Sequence, residues 1–116
     1  MEDREETIFD KIINGKAPAE KVYESERVLA IKDIFPKAPV HLLIMPKKHI
    51  PNIHSVKEED FPIICEIITV AQKLAKQFGI QDCYRILANN ELPSGETIYH
   101  LHFHLLGGVP LTSIKD

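Results

Sequence analysis

The stretch Tyr99-His100-Leu101-His102-Phe103-His104-Leu105-Leu106 alternates histidine with bulky apolar residues. A period of two marks a β-strand, on which neighbouring side chains point to opposite faces. Read as part of a strand from Ile98 to Leu106, it sends Leu101, Phe103 and Leu105 into a core. His100, His102 and His104 then stand in a row on the other face, roughly 6.6 Å apart. A polar outer face explains a lone histidine, but not three of the chain's six in register. Imidazole is a poor choice for solubility alone, and adjacent rings repel when protonated, so the row calls for a chemical explanation.

Upstream, Tyr84 to Ala88 reads as a further strand, joined to the histidine row by a loop from Asn89 to Glu96 that contains Pro93 and Gly95. Before it, from Phe61 onward, Ile64, Ile68, Ala71, Leu74, Ala75 and Phe78 keep helical spacing, and Gly79 is placed as the stop. Ser55 to Glu58 matches a capping box, while Pro62 favours a regular helix starting near Asp60. The apolar run Val40 to Met45, stopped by Pro46, reads as a buried strand carrying His41. Lys21 to Tyr23 and Val28 to Lys32 are spaced for a hairpin, and Thr7 caps a short helix from Ile8 to Asn14 closed by Gly15. Helix, three strands, helix, two strands lacks the regular alternation of a doubly wound sheet, so an antiparallel α+β domain is expected. One domain spanning 1–116 is expected at this length, with residues 1–6 as an extension and a mobile tail at 111–116.

Composition narrows the function. Fourteen Lys and Arg against seventeen Asp and Glu give a net charge of -3, which offers no general attraction to nucleic acid. The longest apolar runs are far short of the roughly 20 residues that span a bilayer. The acidic start, Met1 to Glu6, lacks the basic and apolar regions of a secretory signal, which points to a cytoplasmic location. Cys65 and Cys83 form no Cys-x-x-Cys pair and read as reduced, buried packing residues.

Two chemistries suit a histidine row. A metal would bind neutral imidazole, but His100 and His104 lie roughly 13 Å apart along a strand. Zinc needs its nitrogens at about 2.0 to 2.1 Å, so only two of the row with His41 would serve. The alternative is nucleophilic attack at phosphorus, in which one neutral imidazole attacks and its neighbours neutralise the transition state. His102 holds the central position, with His41 available from another strand.

The pattern from His100 to Leu106 resembles the histidine-triad superfamily. The resemblance extends to Thr7 through Ile13, Asp33 through His41, Pro46 through His49 and Tyr99 through Gly108, which are similar to blocks of the Hint branch. It implies an α+β fold with a five-stranded antiparallel sheet, one long helix and one short one. It also implies a purine nucleoside phosphoramidase that cuts the P–N bond of AMP or GMP conjugates without a cofactor or metal. By position His102 matches the nucleophile that becomes nucleotidylated, and His41, His100 and His104 match its supporting histidines. Asn89, Gly95, Glu96 and Thr97 match the phosphate loop. A backbone N–H at Gly95 can approach an oxygen because no Cβ intervenes. Asp33 matches the carboxylate that holds the ribose, and Ile8, Phe9, Ile12, Ile31, Ile34 and Leu43 match the apolar walls around the base. A homodimer with a continuous sheet is implied as well.

This chain departs from the family pattern at three places. Glu96 stands where an uncharged Gln is usual, and a carboxylate beside a phosphate is repulsive unless protonated or turned away, which would either reduce affinity or favour a cationic leaving group such as an amine. Val109 replaces an expected Arg, and the tail lacks the Trp-Pro-Pro ending of some members. Three alternatives stand beside the phosphoramidase: a dinucleoside polyphosphate hydrolase, a nucleotide-binding scaffold with weak catalysis, and a metalloenzyme.

Overall fold

Val40–Pro46 forms strand β3, the centre of a five-stranded sheet in the computed structural model, which describes residues 5–90 and 98–114. Its neighbours are β2 (Val28–Lys32) and β5 (Phe103–Gly107), with β1 (Lys21–Glu24) and β4 (Tyr84–Leu87) at the edges. The order is β1-β2-β3-β5-β4, and every neighbouring pair is antiparallel. A long helix, α2 (Phe61–Gln77), and a short one, α1 (Ile8–Ile13), complete the α+β architecture expected from the sequence.

Each helix covers one face of the sheet. Val28, Ala30, Leu42 and Ile44 pack with Leu101, Phe103 and Leu105 against Ile67, Val70, Ala71, Leu74 and Ala75 of α2. The alternate residues Leu29, Ile31, Leu43 and Met45 pack against Phe9 and Ile12 of α1. Because both faces are covered, Val28 to Ile31 of β2 and Leu42 to Met45 of β3 read as continuous apolar runs rather than alternating ones. The Thr7 hydroxyl accepts the Asp10 N–H at 3.1 Å and the Asp10 carboxylate takes the Thr7 N–H at 2.8 Å, so α1 starts on a reciprocal cap that fixes its angle to the sheet.

The structure corrects several sequence expectations. β5 begins at Phe103, not Ile98, and the cause is Pro46. Ile44 pairs with Phe103, so Pro46, which has no N–H to give, would fall opposite Leu101 and the ladder stops. The Leu101 N–H turns instead to the Ile50 carbonyl at 2.7 Å. The buried stripe of α2 runs through Ile67, Val70, Ala71, Leu74 and Ala75, while Ile68 is 41% exposed. The helix is apolar on more than one side, and the sheet selects the stripe. Asn52, not Ser55, caps the first turn of the 53–60 segment, taking the Ser55 N–H at 2.9 Å. Cys65 and Cys83 are both exposed rather than packed in the core. The expected mobile tail is partly fixed, since Leu111–Ser113 forms a 3-10 turn, Ile114 is buried, and Arg85 donates to the Leu111 carbonyl.

Candidate active site

β3, β5 and the irregular 98–102 segment that leads into β5 bring four of the six histidines together, His41 and His104 from the strands and His100 and His102 from the segment. His41 lies opposite Leu106 and Leu43 opposite His104, so the two imidazoles are diagonal neighbours on adjacent strands. Their rings meet at 2.9 Å, His41 Nε2 to His104 Nδ1. The hydrogen-bond network assigns the tautomers. The Lys37 backbone N–H donates to His41 Nδ1 at 3.0 Å, so the His41 proton is on Nε2. That proton is given to His104, with the Asp33 carboxylate 3.3 Å away as a second acceptor, and His104 carries its own proton on Nε2.

His102 is held differently. Its Nδ1–H donates to the His100 carbonyl at 2.7 Å, which leaves Nε2 with an unshared pair. The ring packs edge-on against Phe9 with centroids 5.0 Å apart and lies 5.1 Å from the His104 ring. His100 is fully buried behind it, its Nε2–H donating to the Pro46 carbonyl at 2.8 Å and its Nδ1 facing the Asp10 carboxylate at 3.7 Å. The break at Pro46 that shortens β5 therefore supplies the acceptor that fixes the first histidine, whose own carbonyl fixes the second.

Burial pushes His41, His100 and His102 below the ordinary histidine value of 6.5, because a charged imidazole there loses its water. His104 is pushed down to about 4 by burial, then by the charges of His102 and His41. All four rings are thus neutral at neutral pH, as a nucleophile and its hydrogen-bonding neighbours require. Asp33 opposes the shift at His41, His102 and His104.

His102 and His104 open onto a cleft of about 360 Å³ between α1 and the segment after β2. It is lined by Ile8, Phe9, Ile12, Ile31, Asp33, Ile34 and Leu43, so every apolar wall residue anticipated from the sequence is brought to one cavity with the carboxylate. Ile34 and Phe35 stand at its lip, 81% and 77% exposed. Phe35, Pro18, Ala19 and Ile98 also line the cleft and were not anticipated. Phe35 carried a readable signal, since Asp33 two residues earlier favours an Asx turn, and the Phe35 N–H does donate to Asp33 at 2.8 Å. Asn89 lies apart from the cleft, in a neighbouring groove that shares His104. Gly95, Glu96 and Thr97 lie outside the described residues.

Among the described residues, two groups bring three metal-competent side chains within 4.8 Å of one another: Asp33, His41 and His104, and Asp10, His49 and His100. In the first, the lone pair of His41 is taken by the Lys37 N–H and its proton by His104, so the geometry is that of a hydrogen-bonded relay. His102 belongs to neither group.

A family model described as HIT domain matches residues 14–111. An uncharacterized HIT-like protein of Chlamydia trachomatis is 48% identical over 108 residues, covering 93% of this chain and 97% of its own length. The Escherichia coli purine nucleoside phosphoramidase is 46% identical over 108 residues, with 92% and 91% covered. A solved HIT family hydrolase from Clostridium thermocellum superposes with a TM-score of 0.86 at 45% identity over 93% of this chain and 95% of its own. Another from Legionella pneumophila gives 0.86 at 42% identity, covering 91% and 96%. Fold and relatives together define a small hydrolase, with four imidazoles gathered at its candidate site. The chain belongs to the HIT family.

Proposed function

We propose that the chain cleaves purine nucleoside 5′-phosphoramidates and related nucleoside monophosphate conjugates through a nucleotidyl intermediate on His102. The observation that carries this reading is the His102 Nδ1–H bond to the His100 carbonyl, which frees Nε2 beside a cleft with apolar walls and one carboxylate. The base lies between Ile8, Phe9, Ile12 and Ile34, and Asp33 accepts from the ribose hydroxyls. His102 Nε2 attacks phosphorus, the P–N bond breaks, and the departing nitrogen takes a proton from solvent to leave as a neutral amine, a proton that the water attacking in the next step returns. Water then breaks the P–Nε2 bond and releases the nucleoside monophosphate. The Nε2–H of His104 donates to the phosphoryl oxygens, while Asn89, Gly95, Glu96 and Thr97 form the phosphate loop. The name of the E. coli relative supports this substrate class.

We also propose a homodimer. Phe61, Cys65 and Ile68 share one outward face of α2, with Phe61 54% and Ile68 41% exposed, and β4 is an edge strand with backbone groups open to pairing. Sedimentation at twice the 13.2 kDa chain mass is the expected result.

Intact-mass measurement after rapid mixing with an adenosine phosphoramidate tests the chemistry. A nucleotidyl adduct is expected on the native chain and absent in His102→Ala. Turnover that persists in His102→Ala, or faster cleavage of a dinucleoside triphosphate, would replace this reading with another.

A further inference from the structure

Asp33 has two sides. It borders the apolar cleft, and it also borders a small cavity shared with His41 of β3. Backbone bonds fix it there: the Asp33 N–H donates to the His41 carbonyl at 3.0 Å, and the Phe35 N–H donates to Asp33 Oδ1 at 2.8 Å. That arrangement sets Oδ2 3.3 Å from His41 Nε2. Two acceptors therefore compete for the single proton on that nitrogen, the other being His104 Nδ1 at 2.9 Å. The His41 side chain is 1% exposed and out of a substrate's reach, whereas that of Asp33 is 17% exposed. Lys32 also lines the cleft, and its ammonium pairs with Glu20 at 2.7 Å.

We propose that Asp33 couples ribose recognition to the strength of the His104 donor, so that the ribose hydroxyls raise kcat as well as affinity. The inference rests on the reaction proposed above, in which Asp33 accepts from those hydroxyls and the His104 Nε2–H donates to the phosphoryl oxygens. Before substrate arrives, the charge of the carboxylate draws the His41 proton away from His104. Hydroxyls donating to Asp33 offset that charge, and the proton is given more fully to His104 Nδ1. A ring that accepts a stronger bond at one nitrogen donates a stronger one from the other, so His104 holds the phosphoryl oxygens more tightly as charge develops on them. The charge of Asp33 is felt across the site: it opposes the lowering of His41, His102 and His104, while Lys37 adds to that lowering at His41 and His104. Asp33 thus binds the ribose and, through His41, is a positioning residue for the His104 proton.

Adenosine 5′-phosphoramidate and its 2′,3′-dideoxy analogue test the coupling, because they differ only in the two hydroxyls. Losing them should lower kcat roughly fivefold, the scale of one hydrogen bond, in addition to raising KM. In Asp33→Asn the two substrates should share one kcat. A second readout separates coupling from simple misplacement of phosphorus. By NMR, the His41 Nε2–H resonance should move downfield when AMP saturates the native chain, and clearly less with 2′,3′-dideoxy-AMP. A difference confined to KM, a kcat ratio that survives Asp33→Asn, or a resonance that responds equally to both nucleotides overturns the coupling while leaving the phosphoramidase reading in place. Absence of nucleotide release from both substrates overturns the two together.

Discussion

As the proposed nucleophile, His102 serves only while its Nε2 is unprotonated, and burial favours that at neutral pH by holding the ring below 6.5. The rate kcat/KM is therefore expected to be full near pH 7 and to fall on acidification below the ordinary histidine value, as a pH–rate profile would record. Asp33 raises His41, His102 and His104, so removing its charge lowers all three further. In Asp33→Asn the acid limb should move to lower pH, and KM should rise roughly tenfold as a charged hydrogen-bond acceptor is lost. A limb that moves to higher pH would contradict the role given to this carboxylate. His102→Ala should lose about a thousandfold or more in kcat, the usual scale for removing a nucleophile.

At the scale of elements, the site depends on where strands stop. Pro46 ends pairing between β3 and the 98–102 segment and so turns that segment's polar groups toward side chains, which is what locks His100 and His102. Gly108 ends the other side of β5 with φ +99, and a Cβ there would meet Pro39 Cβ at 2.9 Å. Pro39 belongs to the loop that leads from Asp33 to His41. Gly108→Ala should cost about 1–3 kcal/mol of stability by urea unfolding, because the left-handed backbone and the contact both penalise a side chain. Ile44 is fully buried in β3, and Ile44→Ala should cost about 2–5 kcal/mol by the same measurement.

For the whole molecule, four neutral, depressed imidazoles couple folding to pH. The unfolded chain binds protons at these rings near 6.5, whereas the folded chain resists them, His104 down to about 4. Between those values the unfolded state binds more protons, so stability rises with pH across the window and is lost as pH falls through it. Thermal unfolding followed from pH 7 to pH 4 should show a steady fall in Tm that is reduced in His104→Asn. A flat profile would mean that the rings are not held neutral by the fold. No helix among the described residues is long and apolar enough to cross a membrane.

Local sequence determined much of this protein, because the deciding signals are local. The period of two at 100–105 assigned opposite faces to histidine and apolar residues. Thr7 and Gly15 bounded the short helix, and Pro62 placed the start of the long one. Only the tertiary structure decided which of several apolar stripes on α2 is buried, that both cysteines face outward, and that Asn89 borders a groove separate from the apolar cleft. It also decided that His100 sits behind His102 rather than beside it. Those outcomes turn on contacts between residues far apart in the chain, such as Pro46 with His100, and on the solvent that such contacts exclude, which no local periodicity encodes.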